Sequence, residues 1–138
     1  LDAHYGNGTD NIIDTLGLSY VRHYTFGGQQ ITSHNADKWL KKLPRIVCNF
    51  RDCDVILFQA GADPHINDPL GGVLTSEQMQ KRDRIVFETA KRFDIPVAWN
   101  LAGGYQTPLR KVLDIHDATA IECLKVHSKK VRSKQKAA

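Results

Sequence analysis

The chain has 138 residues, 41% hydrophobic and 25% charged, a balance that excludes a disordered chain and suits one globular domain. No apolar run approaches the roughly 18 residues of a membrane span, and no basic segment followed by an apolar core marks a signal peptide, so no membrane partner is expected. The formal charge of +4 does not announce a nucleic-acid binder. It belongs to residues 127–138, which carry Lys129, Lys130, Arg132, Lys134 and Lys136 and no acid; the remainder holds 14 basic against 15 acidic residues.

That basic end reads as a solvated, disordered tail, with residues 1–126 as one structural unit. Cys48, Cys53 and Cys123 are odd in number and lack metal-ligand spacing, which points to a reducing cytoplasm rather than a disulfide framework.

The chain opens at Leu1 without Met, directly in the glycine-rich stretch Asp2–Gly8, which reads as a processed chain or one part of a longer protein. A strand fragment at Asp2 is followed by a short helix at about 9–17, closed by Gly17. Residues 18–26, rich in Tyr, Val and Thr, read as a strand ended by Gly27 and Gly28. Ser33 or Asn35 caps a helix whose apolar positions Trp39, Leu40, Leu43, Ile46, Val47 and Phe50 follow a 3.6-residue period, and Pro44 is expected to kink or split it. Residues 54–60 contain the run Val55–Phe58, the signature of a buried parallel strand. A long polar loop, 61–74, leads to Thr75-Ser-Glu-Gln78, which opens a helix to about Phe93. Residues 95–102 form a second buried strand, and 108–126 a last helix. Alternating helices and apolar strands give an α/β fold, a mostly parallel sheet of three strands with flanking helices. So thin a sheet suggests part of a domain.

In open α/β sheets, ligand groups gather beyond the carboxyl ends of the strands. Asp2-x-His4, Gly61-Ala-Asp63 and Gly103-Gly-Tyr105 all sit at such ends. Two carboxylates and an imidazole meeting there match a catalytic zinc site, which needs three protein ligands and one open position; iron or cobalt would also accept that set. Each piece alone has a plainer reading. Asp2 can cap a turn, His4 can be an exposed loop histidine, Asp63 can cap the turn at Pro64, and Tyr105 can pack on its loop.

The stretches Leu1–Thr9 (LDAHYGNGT), Gln59–Gly72 (QAGADPHINDPLGG), Arg82-Asp83, Ile95–Val97 and Leu101–Tyr105 (LAGGY) together resemble the C-terminal half of the zinc-dependent histone deacetylase and acetylpolyamine amidohydrolase family, over about residues 1–120. The resemblance implies a partial arginase–deacetylase fold lacking its N-terminal strands. It implies Asp2, His4 and Asp63 as Zn²⁺ ligands and Tyr105 as hydroxyl donor to the oxyanion formed when water attacks the amide carbonyl. Gly103 and Gly104 would let their loop pass close to substrate, and Asp68, Pro69 and Leu70 would shape the pocket mouth, with a ligand-free turn as the alternative. His65 could line the pocket, with loop packing as the alternative. The expected substrates are acetylated lysine peptides or acetylpolyamines.

Departures from the family pattern matter too. The family's adjacent histidines, its general base and acid, have no counterpart, since the six histidines here include no His-His pair. The isolated chain is therefore expected to be weakly active or inactive, because general acid–base catalysis contributes about 10²–10⁴-fold. Asn7 stands where many histone-type members carry Asp, as in class II-like and bacterial members. A structural K⁺ is a weaker expectation: the family site uses a serine hydroxyl where Val21 stands. The alternative function is a non-catalytic truncated relative that binds metal or a partner, or self-associates, through an exposed sheet edge. An arginase-like dimanganese site is disfavoured: only Asp10 and Asp68 are close in sequence to the ligands, and neither has the Asp-x-His-x-Asp spacing.

Overall fold

The computed structural model describes residues 1–128; the rest of the expected basic tail lies outside the described residues. The elements in order are α1 (Asn7–Leu16), α2 (Ala36–Cys48), β1 (Ile56–Ala60), α3 (Ser76–Arg92), β2 (Val97–Leu101) and α4 (Arg110–Ser128). β1 and β2 form a two-stranded parallel sheet in the register Ile56↔Val97 to Ala60↔Leu101. The class is α/β as the alternation of elements predicts, with two strands among the described residues instead of three.

Residues 18–26 account for the difference. They run without a ladder because no strand among the described residues lies alongside them, and their main-chain bonds close local turns instead, Ser19 N–H to the Gly17 carbonyl and Val21 N–H to the Leu18 carbonyl. The Asp2 fragment is likewise irregular, although the Leu1 amine donates to the Gln59 carbonyl at 2.8 Å. Pro44 does not split α2: Trp39, Leu40, Leu43 and Val47 are buried on both sides of it, and their packing outweighs one missing helical hydrogen bond.

α3 begins where its residues dictate. The Thr75 hydroxyl accepts from the Gln78 N–H while the Gln78 side chain accepts from the Thr75 N–H, so two otherwise orphaned donors are satisfied. α3 packs between α2 and α4. Its Phe87 meets Phe58 of β1 edge-on at 5.8 Å and Trp99 of β2 at 6.1 Å. The core therefore lies on one face of the sheet. The other face is open: Gln59, Ala98 and Asn100 are exposed and Leu57 is 80% exposed, so the strands are not buried on both faces as their apolar runs suggest. Cys48, Cys53 and Cys123 are free, and no helix among the described residues is long and apolar enough to cross a membrane.

Candidate metal centre

Because β1 and β2 are parallel and end level, the segments that follow them, 61–63 and 103–105, leave the same edge of the sheet. The two loops are tied together: Ala62 N–H and Asp63 N–H both donate to the Gly103 carbonyl, at 2.6 and 3.0 Å. The Asp2–His4 turn docks against them, with the Gly103 N–H donating to Asp2 Oδ2 at 3.2 Å and the His4 N–H to Asp2 Oδ1 at 2.9 Å. His4 Nδ1 lies 2.7 Å from Asp63 Oδ2 and 3.3 Å from Asp2 Oδ1. Asp2, His4 and Asp63 thus each offer a ligand atom within 4.8 Å of the others, the one such cluster among the described residues.

The electrostatics of the cluster are those of two acids crowded together. Burial, then the charge of Asp2, pushes the Asp63 carboxyl above the usual carboxylate range. Burial acts on Asp2 in the same sense, but bonds from the His4 N–H, Asp63 and the Gly103 N–H outweigh it and hold that carboxyl low. The His4 imidazole is raised, chiefly by its bond to Asp63. Asp63 is fully buried, and its Oδ1 has no hydrogen-bond partner. The glycines alongside are needed for this approach: a Cβ on Gly61 would sit 2.5 Å from Asp63 Oδ1, and one on Gly103 2.7 Å from the Asp63 carboxyl carbon. Two adjacent carboxylates, one with an orphaned buried oxygen, beside an imidazole nitrogen form a donor set that fits a divalent cation.

Tyr105 is half exposed and stands edge-on to the His4 ring, 6.1 Å between centroids. Its main chain is held by Asp68, whose Oδ2 accepts the Tyr105 N–H at 2.8 Å while Oδ1 accepts the Leu70 N–H at 2.9 Å. Asp68, expected at the pocket mouth, is buried and pins the Tyr105 loop; Pro69 and Leu70 beside it are exposed. Gly104 packs close to Val112 of α4 and the Ala62 side chain.

His65 is buried elsewhere. Its Nδ1 accepts the Asn67 N–H at 3.2 Å, so Nε2 carries the proton toward Ser76 Oγ at 2.9 Å, and burial lowers its pKa. With Ser76, Gln106 and Lys111 it lines a separate cavity of about 410 Å³. A larger cavity, about 930 Å³, lies between residues 19–26 and β1; Asp2 and His4 reach its wall, but Asp63 and Tyr105 do not. Asp10 and Asp68 both stand apart from the cluster, Asp10 paired with His23 Nδ1 at 2.7 Å. The Thr25 hydroxyl donates to the His4 carbonyl, at 3.3 Å.

Sequence reasoning did not foresee the support beneath the cluster. Arg82, fully buried on α3, donates from Nη1 to both the Leu1 carbonyl (3.0 Å) and the Gly61 carbonyl (2.8 Å). The Arg82-Asp83 dipeptide was the available signal, two adjacent charges in the middle of the helix.

An α/β domain with an acid–acid–imidazole cluster at the ends of parallel strands is the class that fold and site define. Residues 24–119 match the family model described as histone deacetylase domain, and the chain belongs to that family. The matched stretch includes Asp63 and Tyr105 and begins beyond Asp2 and His4. The chain is also similar to histone deacetylase 2 of Arabidopsis thaliana, 27% identical over 134 residues, covering 82% of this chain and 34% of the relative. An uncharacterized protein of Picosynechococcus is 28% identical over 91 residues, covering 65% of this chain and 28% of the relative. The chain spans about a third of the length of the curated relatives it matches.

Proposed function

We propose that the chain carries the metal-holding part of a zinc-dependent amidohydrolase, on part of an arginase–deacetylase fold, that removes acetyl or a similar acyl group from lysine side chains or polyamines. The observation that carries this reading is the meeting of Asp2, His4 and Asp63 within 4.8 Å, with Tyr105 edge-on to His4. Family membership supports the reaction class. When bound there, Zn²⁺ would supply Lewis acidity toward a carbonyl and bring the pKa of a coordinated water down to about 7.

The chain's own residues do the rest. Asp2 and Asp63 supply oxygens and His4 supplies Nδ1, which leaves one side open to substrate. Tyr105 donates its hydroxyl proton into a hydrogen bond with the oxyanion as the amide carbon becomes tetrahedral. Asp68 keeps the tyrosine loop in place through the Tyr105 N–H. None of the six histidines is placed as an adjacent pair to shuttle protons between water and the leaving amine, so the isolated chain turns over slowly.

The test is the zinc-loaded chain with a fluorogenic acetyl-lysine peptide and, in parallel, an acetylated polyamine. We expect slow, hydroxamate-sensitive release, reduced about 10²–10³-fold in Tyr105→Phe with zinc content unchanged. A chain that holds no zinc and cleaves neither substrate would overturn the reading.

A further inference from the structure

We propose that Arg82 is a positioning residue that sets the separation of the two ligand-bearing segments, and hence the affinity of the centre for its cation. The inference rests on the metal-site reading above. Asp2 and Asp63 are 61 positions apart; the Leu1 carbonyl immediately precedes Asp2, and the Gly61 carbonyl lies two residues before Asp63. A guanidinium Nη carries two N–H groups, and Nη1 of Arg82 gives one to each carbonyl, so a single nitrogen clamps both segments.

The clamp is itself held. Arg82 Nε donates to Asp83 Oδ1 at 2.7 Å, and Asp83 Oδ2 accepts the Thr119 hydroxyl of α4 at 2.6 Å. The Phe58 ring of β1 lies 5.7 Å from the guanidinium carbon. The two ligand-bearing segments are therefore tied to one buried polar layer carried by α3 and α4. A full positive charge, wholly buried, spends three of its five N–H donors on two carbonyls and one carboxylate, while Nη2 has no partner. An apolar residue would have filled the same space without the desolvation cost, so the bonds themselves are what the position supplies.

Outer supports of metal ligands typically change affinity about 10–100-fold when removed. Zn²⁺ affinity would be measured on the full chain by competition with a chromophoric chelator, and the visible spectrum of the Co²⁺-loaded chain would report ligand geometry. Arg82→Lys keeps the charge but cannot bond Asp83 and both carbonyls in one plane; we expect Zn²⁺ binding about 10–100-fold weaker and a shifted Co²⁺ band. Thr119→Val loosens the anchor and should give a smaller loss of the same kind. Arg84→Gln breaks the neighbouring ion pair with Glu122, which touches no ligand segment, and should leave both readouts at parental values. Should Arg82→Lys fail to fold, the paired Arg82→Met/Asp83→Leu variant removes both charges together and is expected to show the weakened binding. Folded variants that bind Zn²⁺ as the parent does would overturn the clamp alone. A parent that binds neither ion would overturn both the clamp and the metal-site reading.

Discussion

Residues 1–35 and residues 36–128 contribute to one site but are built differently. In the second region α2, α3 and α4 bury Leu40, Leu43, Met79, Val86, Phe87 and Val112 against one face of the sheet. In the first, α1 buries no residue at all, and Phe26, edge-on to Trp39 at 4.8 Å, is the one fully buried side chain. Polar ties hold the rest: the Leu1 amine on the Gln59 carbonyl, Arg22 on the Asn49 carbonyl, Trp39 Nε1–H on the Tyr24 hydroxyl. Asp63 and Tyr105 stand on the packed region, whereas Asp2 and His4 are delivered by the loosely packed one. Half of the centre is thus preset by the core, and filling it should order the other half.

The largest expected effect tests that coupling. Loading with Zn²⁺ should slow amide hydrogen exchange across residues 1–35 far more than across α3 or the strands. At a free ion concentration of 100 times the dissociation constant the added stability is about 2.7 kcal/mol. Asp63→Ala should abolish both zinc retention and the slowing; equal protection of the two regions by zinc would erase the contrast. Next in size is packing. Leu43→Ala, in the wholly buried heart of α2, should cost about 2–5 kcal/mol by denaturant unfolding. Ile12→Ala on α1, where Ile12 is mostly exposed, should stay within about 0.5 kcal/mol.

A pH effect belongs to the packed region. The Arg84 guanidinium, with help from Lys125, draws the buried Glu122 carboxyl down from 4.5 to about 2. Its folded pKa lies below its unfolded one, so the stabilisation is complete above about 4.5 and drains away as pH falls toward about 2. Glu122→Gln should flatten the acid limb of the stability curve there. The smallest effect is at the α3 cap, where Thr75→Ala should cost about 1 kcal/mol in thermal or denaturant unfolding.

Much of this was legible in the residues, where local rules suffice. The capping box announced α3, the apolar runs announced β1 and β2, and Asp63 after β1 does meet Asp2 and His4 as expected, although the Asp2 segment is irregular and not a strand. Residues 18–26 misled because Tyr, Val and Thr express a taste for a pleated surface, and only a neighbour can supply one. The open sheet face was hidden for a related reason: Leu57 is as apolar as Phe58, and nothing in the run says that one side stays uncovered. Asp68 was expected at the pocket mouth; its bond from the Leu70 N–H, two residues on, is an ordinary Asx turn, but no spacing rule could name the Tyr105 N–H. Arg82 was harder still, since an arginine in a charged helix ordinarily faces water, and its partners lie 21 and 81 positions away.

The level finish of the two strands has a practical corollary. Ala60 stands opposite Leu101, so the height at which each following loop departs depends on how the strands are aligned and not on how much chain joins them. Extra residues spliced into the exposed turn at 93–94, between α3 and β2, would leave Asp63 and Tyr105 where they are. A slip of one rung would carry Tyr105 about 3.3 Å along the strand axis and turn Trp99 away from Phe87. Anyone shortening, grafting or redesigning this scaffold can treat the loop as adjustable and the strand alignment as its ruler.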